Sequence, residues 1–187
     1  MDVQGGPEET HMKTAASVVL MTVALAVFGL YGRGWAQAPK PSQHGTVSQK
    51  IADTTITVSY NRPVARGREI FGKLVPWGQV WCPGADTCTS IDLSTNVKIN
   101  GETLAAGAYS IWVEPQADRW TIIFNRANPV FHTRHPPDQD VLRVQATPRE
   151  GGHMETLAFY FPVVDGRHAE LVLHWGTVVV PLAIDVP

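Results

Sequence analysis

Hydrophobic and polar residues alternate one by one along most of the chain beyond residue 50. In the segment TITVSY, Ile56, Val58 and Tyr60 fall on one face, and the threonines and serine between them fall on the other. Such alternation over a short segment is typical of a β-strand that is buried on one side only. The same pattern recurs in residues 120–124, 157–161, 169–175 and 178–184.

Turn-forming residues separate these segments. Asn100-Gly101 and Asp165-Gly166 each lie between two alternating stretches, where such pairs predict hairpins, and Pro181 predicts a sheet edge or a bulge. About nine strands are expected, with at most a helical turn within residues 67–75, and this pattern predicts an all-β fold, a single-domain antiparallel β-sandwich. We place this domain at residues 51–187 and expect a flexible lead-in over residues 39–50, which are rich in proline and serine.

The first part of the chain has the features of an export signal. Lys13 precedes an apolar run that continues to about Tyr31, and Ala36 and Ala38 then form the small-x-small pattern that signal peptidase recognises. We therefore predict that residues 1–38 are a cleaved signal peptide, with Met12 as an alternative start. The alternative is an uncleaved membrane anchor, but the run is short for a span. The mature protein is expected in the periplasm or outside the cell, without a stable membrane span.

The amino-acid composition excludes fewer classes of function than the export signal does. Lysine and arginine number 15 against 17 acidic residues, giving a net charge of −2. Because no basic run or basic-aromatic stripe is present, nucleic acid is not an expected partner. The sequence also lacks the nucleophile-elbow, zinc-protease, phosphate-loop and dinucleotide-binding motifs. No cofactor is expected, and nothing positive in the sequence points to an enzyme.

The order of several short motifs resembles one family of bacterial secreted proteins, domain of unknown function family 2911. The resemblance covers most of the chain from about Ser48 onward, and family membership implies an exported β-domain without an assigned activity. In that family, arginine commonly stands at the position of Cys82 and asparagine at that of Asp86. We therefore do not expect the two thiols to have a role that all members of the family share. The motifs are YNRP at 60–63, GREIFG at 67–72, VWxxGAD at 80–86, AGAYS at 106–110 and WTIIFN at 120–125.

The two cysteines of the chain, Cys82 and Cys88, are separated by PGADT. Nearby thiols tend to pair in an oxidising compartment, and this spacer is turn-forming, so a structural disulfide is the favoured interpretation. The alternatives are unpaired buried thiols, part of a metal site, and a redox pair. The spacing is uncommon for zinc, and the thioredoxin-like context of a redox pair is absent.

Two loop segments carry the candidate ligand-binding residues. A charged loop shaped by glycine and proline beside a rigid turn is a common setting for a binding site. The favoured interpretation of these charges is nevertheless structural: Asp86 would pair with Arg62 or Arg68 and hold the two loops together. The candidates are Asn61, Arg62, Arg66, Arg68, Trp77, Trp81, Asp86 and Thr89.

We expect a non-catalytic module that binds a small molecule, a glycan or a protein of the cell envelope. One alternative is a hydrolase that uses Asp86. Another is a metal-binding protein that uses His132 and His135, since histidine and carboxylate groups are ligands for zinc and copper. The Pro-rich segment around these histidines, and a second row at His168, Glu170 and His174, are more simply explained as a loop and a solvated strand face.

Overall fold

A computed structural model describes Met1 and residues 41–187 of the protein. Contacts divide the chain into two compact units, Met1–Pro39 and Lys40–Pro187, and the second unit contains the domain. The predicted signal peptide lies outside the described residues, apart from Met1. The strands are β1 Gln43–Ile51, β2 Thr54–Arg62, β3 Ser90–Leu93, β4 Val97–Ile99, β5 Glu102–Leu104, β6 Gly107–Pro115, β7 Trp120–Asn125, β8 Asp140–Ala146, β9 Arg149–Asp165 and β10 His168–Asp185.

The strands form two antiparallel sheets that pack against each other, so the predicted β-sandwich is confirmed. One sheet has the order β1-β2-β3-β6-β7-β8, and the other has the order β5-β4-β10-β9. A short 3-10 helix, Pro137–Gln139, precedes β8. Among the described residues, no helix has the length and hydrophobicity needed to cross a bilayer.

The core lies between the sheets and consists of the alternating residues identified in the sequence. Ile56 and Val58 on β2 are fully buried, and Trp120 on β7 and Trp175 on β10 are nearly so. Tyr60 links the two sheets, because its hydroxyl accepts a hydrogen bond from the Phe159 main-chain N–H at 3.0 Å. Burial of such side chains removes apolar surface from water and is the main stabilising contribution to a sandwich of this kind.

The predicted hairpins are present. Asn100 and Gly101 both have positive φ, 48° and 89°, as a two-residue turn between β4 and β5 requires. Gly166 lies in the turn that joins β9 to β10. The two segments predicted on either side of Gly176 form one strand, β10, whose register with β9 shifts at this glycine. Gly176 has φ of 60°, and a bulge at such a residue bends a strand without ending it.

Two expectations differ from the structure. Residues 43–50 were expected in the flexible lead-in but form most of β1, which pairs with β2 from Gln43↔Arg62 to Ile51↔Thr54. Its sequence is largely polar because β1 is an edge strand, held mainly by main-chain hydrogen bonds rather than by a buried face. Residues 67–75 contain turns and an isolated bridge between Phe71 and Val75, rather than a helical turn.

A buried polar network anchors the loop between β7 and β8. Asn125 is fully buried, and its Nδ2 donates to Asp140 Oδ1 and to the Pro136 carbonyl, both at 2.7 Å. His135 Nε2 lies 2.8 Å from the same Asp140 oxygen, and Arg143 Nη2 donates to the other oxygen at 2.7 Å. Burial raises the pKa of the Asp140 carboxyl, but these three hydrogen bonds outweigh it, so the pKa lies below its ordinary 3.8.

We expect Asp140→Asn to lower the free energy of unfolding at neutral pH by roughly 1.5–3 kcal/mol, the range for hydrogen bonds to charged groups. The folded chain has the lower pKa, so this contribution is complete above the unfolded pKa and is lost as pH falls through the folded value. Urea melts should therefore show the difference between wild type and variant shrinking as pH falls from about 5 to about 2. Asp138→Asn, at an exposed position, is the control, and a pH-independent difference would contradict the assignment.

Candidate functional site

The site is built around a loop that leaves the six-stranded sheet and returns to it. Thr89 accepts a hydrogen bond from the Ile111 N–H, and Trp81 exchanges two with Val113, all at 2.8 Å. Trp81 and Thr89 thus both pair with β6, opposite Val113 and Ile111, which are two residues apart on that strand. The intervening residues, 82–88, stand opposite Trp112 alone and must project from the sheet. We call residues 82–88 the projecting loop.

A disulfide between Cys82 and Cys88 closes the projecting loop at its base, with the Cα atoms 5.7 Å apart. This confirms the predicted bond. Both cysteines are buried, and they pack with Trp112 and Ile123 in a small second core on the outer face of the sheet. A crosslink over so short a loop limits the conformations that the loop can adopt even when neighbouring contacts are lost.

Hydrogen bonds hold the projecting loop on both sides. Asn61 Nδ2 donates to the Ala85 carbonyl at 2.7 Å, and the Thr89 hydroxyl donates to the Pro83 carbonyl at 2.7 Å. On the other side, the His132 N–H donates to the Asp86 carbonyl at 2.9 Å. The loop is therefore fixed to β2 and to the β7–β8 loop.

Gly84 is required by the close packing within the projecting loop. A Cβ at this position would lie 2.9 Å from the Thr89 hydroxyl oxygen, and the Thr89 side chain is itself fully buried. Asp86 has a positive φ of 59°, a conformation that aspartate adopts more readily than most residues. Both positions contribute to keeping the loop in one shape.

Two clefts border the projecting loop. The first, the basic cleft, has a volume of about 550 Å³, and the second, the polar cleft, has about 530 Å³. Both volumes are in the range of small-molecule sites, roughly 300–1,000 Å³. The basic cleft is lined by Pro41, Ser42, Pro63, Arg66, Arg68, Leu74, Val75, Val80, Trp81, Gly84, His132, Thr133 and Trp175. The polar cleft is lined by Ser42, Gln43, His44, Ser59, Tyr60, Asn61, Asp86, Thr87, Cys88 and Ser90.

Two arginines give the basic cleft its charge. Arg68 donates from Nε to the Ala65 carbonyl at 2.8 Å and from Nη2 to the Val64 carbonyl at 2.7 Å. Arg66 donates from Nη2 to the Pro41 carbonyl at 3.3 Å. A guanidinium group carries more N–H donors than these bonds use. Both arginines are exposed, so their remaining donors are accessible to a ligand.

Aromatic rings form the apolar part of the basic cleft. Trp81 stacks on Trp175 with ring centroids 5.9 Å apart and an interplanar angle of 18°. Leu74 and Val80, which also line the cleft, are 41% and 37% exposed. The cleft thus combines guanidinium groups with an indole pair and exposed aliphatic side chains, and none of its described lining residues carries a carboxylate.

The candidate residues are distributed unevenly around the projecting loop. Arg66, Arg68 and Trp81 line the basic cleft, whereas Asn61 and Asp86 line the polar cleft. Candidacy for a ligand site stays a prediction for all of these residues. The structure nevertheless brings the two sequence segments to the same end of the sandwich.

Arg62 and Thr89 have internal partners instead. Arg62 Nε donates to the Leu157 carbonyl at 3.1 Å, and the buried Thr89 hydroxyl bonds within the projecting loop. The ion pairs that described residues form with one another do not join Asp86 to Arg62 or Arg68. The hydrogen bond shown between the two segments is instead the one from Asn61 Nδ2 to the Ala85 carbonyl at 2.7 Å.

The histidines singled out in the sequence lie in separate environments. His132 lines the basic cleft, whereas His135 is paired with Asp140 and packs on Trp112, 4.9 Å between ring centroids. On β10, His168 pairs with Asp185, and the buried His174 bonds to Tyr160 and to the Gly152 carbonyl. Among the described residues, no three His, Cys, Asp or Glu side chains are grouped as a metal site would need.

Sequence reasoning missed the contribution of Trp175 to the cleft. Its position in the alternating pattern of β10 predicts a core residue, and it is indeed only 2% exposed, yet it also lines the cleft. The glycine that follows it was the available signal, because a glycine inside a strand often marks a bulge or a close approach of another group.

The family model described as "Protein of unknown function (DUF2911)" matches residues 42–184. No curated protein and no solved structure matches the chain. The family match agrees with the resemblance found in the sequence motifs and covers the sandwich from the start of β1 to Ile184, one residue before the end of β10.

Replacing both cysteines by alanine should lower the free energy of unfolding by about 2 kcal/mol, the chain-entropy value for so short a loop. Urea melts measure this change. Because both sulfurs are buried, the native wild-type protein should also resist reductant, and its thiols should become reactive only after unfolding and reduction. A double variant as stable as wild type, or free thiols in the denatured unreduced protein, would contradict a structural disulfide.

Proposed function

The chain belongs to DUF2911, a family of proteins of unknown function, and we propose that its domain is a non-catalytic module that binds an anionic small molecule or acidic sugar in the basic cleft. The observation that carries the proposal is the pairing of Arg66 and Arg68 with the Trp81–Trp175 stack in one cavity. Cavities of this kind, mostly apolar with a few convergent polar groups, are the usual form of a small-molecule site.

Charge supports an anionic ligand. Arg66 and Arg68 present guanidinium donors, which bind carboxylate and phosphate groups with two parallel hydrogen bonds. Glu155 lies beside Arg66, and its Oε1 accepts the Arg66 main-chain N–H at 2.6 Å. A hydrogen bond from His153 and that main-chain bond hold the pKa of the Glu155 carboxyl below its ordinary value. That carboxylate therefore already has partners at neutral pH, and the arginine side chains keep donors for a ligand.

The aromatic side chains support a ligand with an apolar face. A sugar ring presents C–H groups on one face and hydroxyl groups around its rim, and an indole ring packs well against such a face. Trp81 is held in one orientation by its stack on Trp175 and by main-chain hydrogen bonds to Val113. A ring fixed in this way loses little conformational entropy on binding.

Binding without catalysis is favoured because, among its described lining residues, the basic cleft holds a single side chain suited to acid–base catalysis, His132. Its described lining residues include His132 but no carboxylate, and glycoside hydrolysis ordinarily needs two. Asp86, the residue considered for a hydrolase, lines the polar cleft. A reaction at Asp86 would therefore take place outside the cavity that holds the arginines.

The site is proposed to operate in the periplasm or outside the cell, after removal of the signal peptide. The sequence pattern around Lys13 and Ala38 supports export. A disulfide between Cys82 and Cys88 is compatible with an oxidising compartment. The partner in this proposal is a soluble molecule or a polymer of the envelope rather than nucleic acid.

Arg66→Gln should weaken the binding of galacturonate at least tenfold, because a hydrogen bond to a charged group contributes roughly 1.5–3 kcal/mol, or about 10- to 150-fold in affinity. Calorimetric titration measures the dissociation constant, with neutral galactose as the comparison ligand. Arg167→Gln, a matched change at an exposed turn residue, is the control and should bind as wild type does. Equal affinity for the charged and neutral sugars, or no effect of Arg66→Gln, would overturn the proposal.

N-terminal sequencing of the protein from the envelope fraction should give a mature chain that begins near Pro39. The expectation follows from the small-x-small pattern at Ala36 and Ala38. Replacing Ala38 by a bulky residue such as phenylalanine should block cleavage and serves as the internal control. An intact N-terminus on cytosolic protein would contradict export.

A further inference from the structure

A third cavity adjoins the basic cleft and shares two residues with it. This aromatic cleft has a volume of about 360 Å³. Arg68 and Trp175 line both cavities, so the two cavities adjoin at these side chains, and we call the two together the groove. The aromatic cleft is lined by Arg68, Ile70, Phe71, Trp77, His153, Trp175, Gly176, Thr177 and Val178.

Trp77 lines the aromatic cleft, and its ring is held by neighbouring residues although it is exposed to solvent. It is 46% exposed, which is unusual for so large an apolar side chain. Its ring centroid lies 6.0 Å from that of Phe71. The indole nitrogen rests over Gly72, where a Cβ would approach it to 2.6 Å. Gly72, with φ of 89°, thus gives Trp77 room to lie flat against the loop with one part of its ring open to solvent.

The groove presents aromatic rings at intervals with a cation between them. Trp81 lies in the basic cleft and Trp77 in the aromatic cleft, and Arg68 belongs to both. His153 also lines the aromatic cleft, but its Nε2 lies 3.1 Å from Glu155 Oε2, so Arg68 is the cation that the described residues of this cleft offer to a ligand. This order of groups is longer than a single sugar ring requires, with an aromatic surface in each cavity and the Arg68 guanidinium shared between them.

We infer that the groove binds a chain of acidic sugars, a uronate-containing oligosaccharide, with one sugar on the Trp81 side and a further sugar on Trp77. The inference rests on the proposed function of the basic cleft and specifies its ligand. A repeating ligand matches the repeated aromatic and cationic groups, each sugar supplying a C–H face for a ring and a carboxylate for a donor. Arg68, shared by both cavities, receives the carboxylate at the junction.

An extended acidic peptide fits this groove less well. A peptide that binds by adding a strand needs an open sheet edge along the groove. The aromatic cleft is instead lined by residues of two paired strands, His153 of β9 and Thr177 and Val178 of β10, which are joined at Gly176↔Met154 and Val178↔Glu150. The remaining wall consists of turns from residues 66–78. The groove therefore offers side-chain groups rather than a main-chain ladder, and side-chain recognition by rings and guanidinium groups suits a sugar chain.

The test is a calorimetric titration of the mature domain with galacturonate and with its dimer, trimer and tetramer. Affinity should rise from monomer to trimer, and Trp77→Ala should weaken binding of the trimer about tenfold while leaving the monomer unchanged, as truncation of an aromatic contact does. Trp77→Phe should retain most of the trimer affinity. Circular dichroism and urea melts of each variant show whether folding is intact.

The outcomes separate the two proposals. If the monomer binds in an Arg66-dependent way but length and Trp77 have no effect, the chain-binding inference is overturned and the proposed function stands. If no uronate binds at any length, both fall. If tetraglutamate shows the same affinity and Trp77 dependence as the trimer, or if neutral cellotriose does, the assignment to an acidic sugar chain is overturned.

Discussion

The arrangement of the site depends on the pairing of Trp81 and Thr89 with β6. These residues bond to Val113 and Ile111, neighbouring paired positions on one strand, so the chain between them has no room within the sheet. It must project outward and return to nearly the same place. The disulfide joins Cys82 to Cys88 at the base of this projection, and Trp112 fills the space beneath it. The main-chain pairing sets where the loop leaves the sheet, and the crosslink sets how far it can open.

The groove follows from this constraint. Trp81, held at the start of the projecting loop, can stack on Trp175 of the opposite sheet. The register of β10 shifts at Gly176, and the missing Cβ there lets Ile70 pack closely, since a Cβ would lie 3.0 Å from Ile70 Cδ1. The turn that carries Arg66 and Arg68 closes the other side, stabilised by the bonds of Arg68 to its own main chain. The proposed binding mode uses this placement of the rings and cations, because side chains that are already ordered reduce the entropic cost of binding.

Alternation along the chain was enough to predict the sandwich, because a buried face imposes period two on every strand that covers it. It did not predict β1, whose residues are mostly polar and whose stability comes from pairing with β2. The loop residues Arg66, Arg68 and Trp81 were candidates because of their charge and ring chemistry; they line the basic cleft, and their role toward a ligand stays a prediction. Arg62 and Thr89 are also polar, but their side chains form hydrogen bonds to main-chain carbonyls within the domain. Trp175 is part of the core and also lines the basic cleft. Such distinctions depend on side-chain direction in loops and at bulges, which periodicity does not encode.

The central claim is that the groove over Arg68 and Trp175, and not the polar cleft, is the binding site. Backbone amide chemical shifts of the mature domain, recorded during titration with trigalacturonate, test this residue by residue. The account predicts changes concentrated at residues 66–68, 77, 81–84 and 175–178, with little change at residues 44, 59–61 and 90. Changes centred instead on the residues that line the polar cleft, such as Asp86 and Ser59, would contradict the assignment of the binding site to the groove. No change at saturating ligand would contradict it as well.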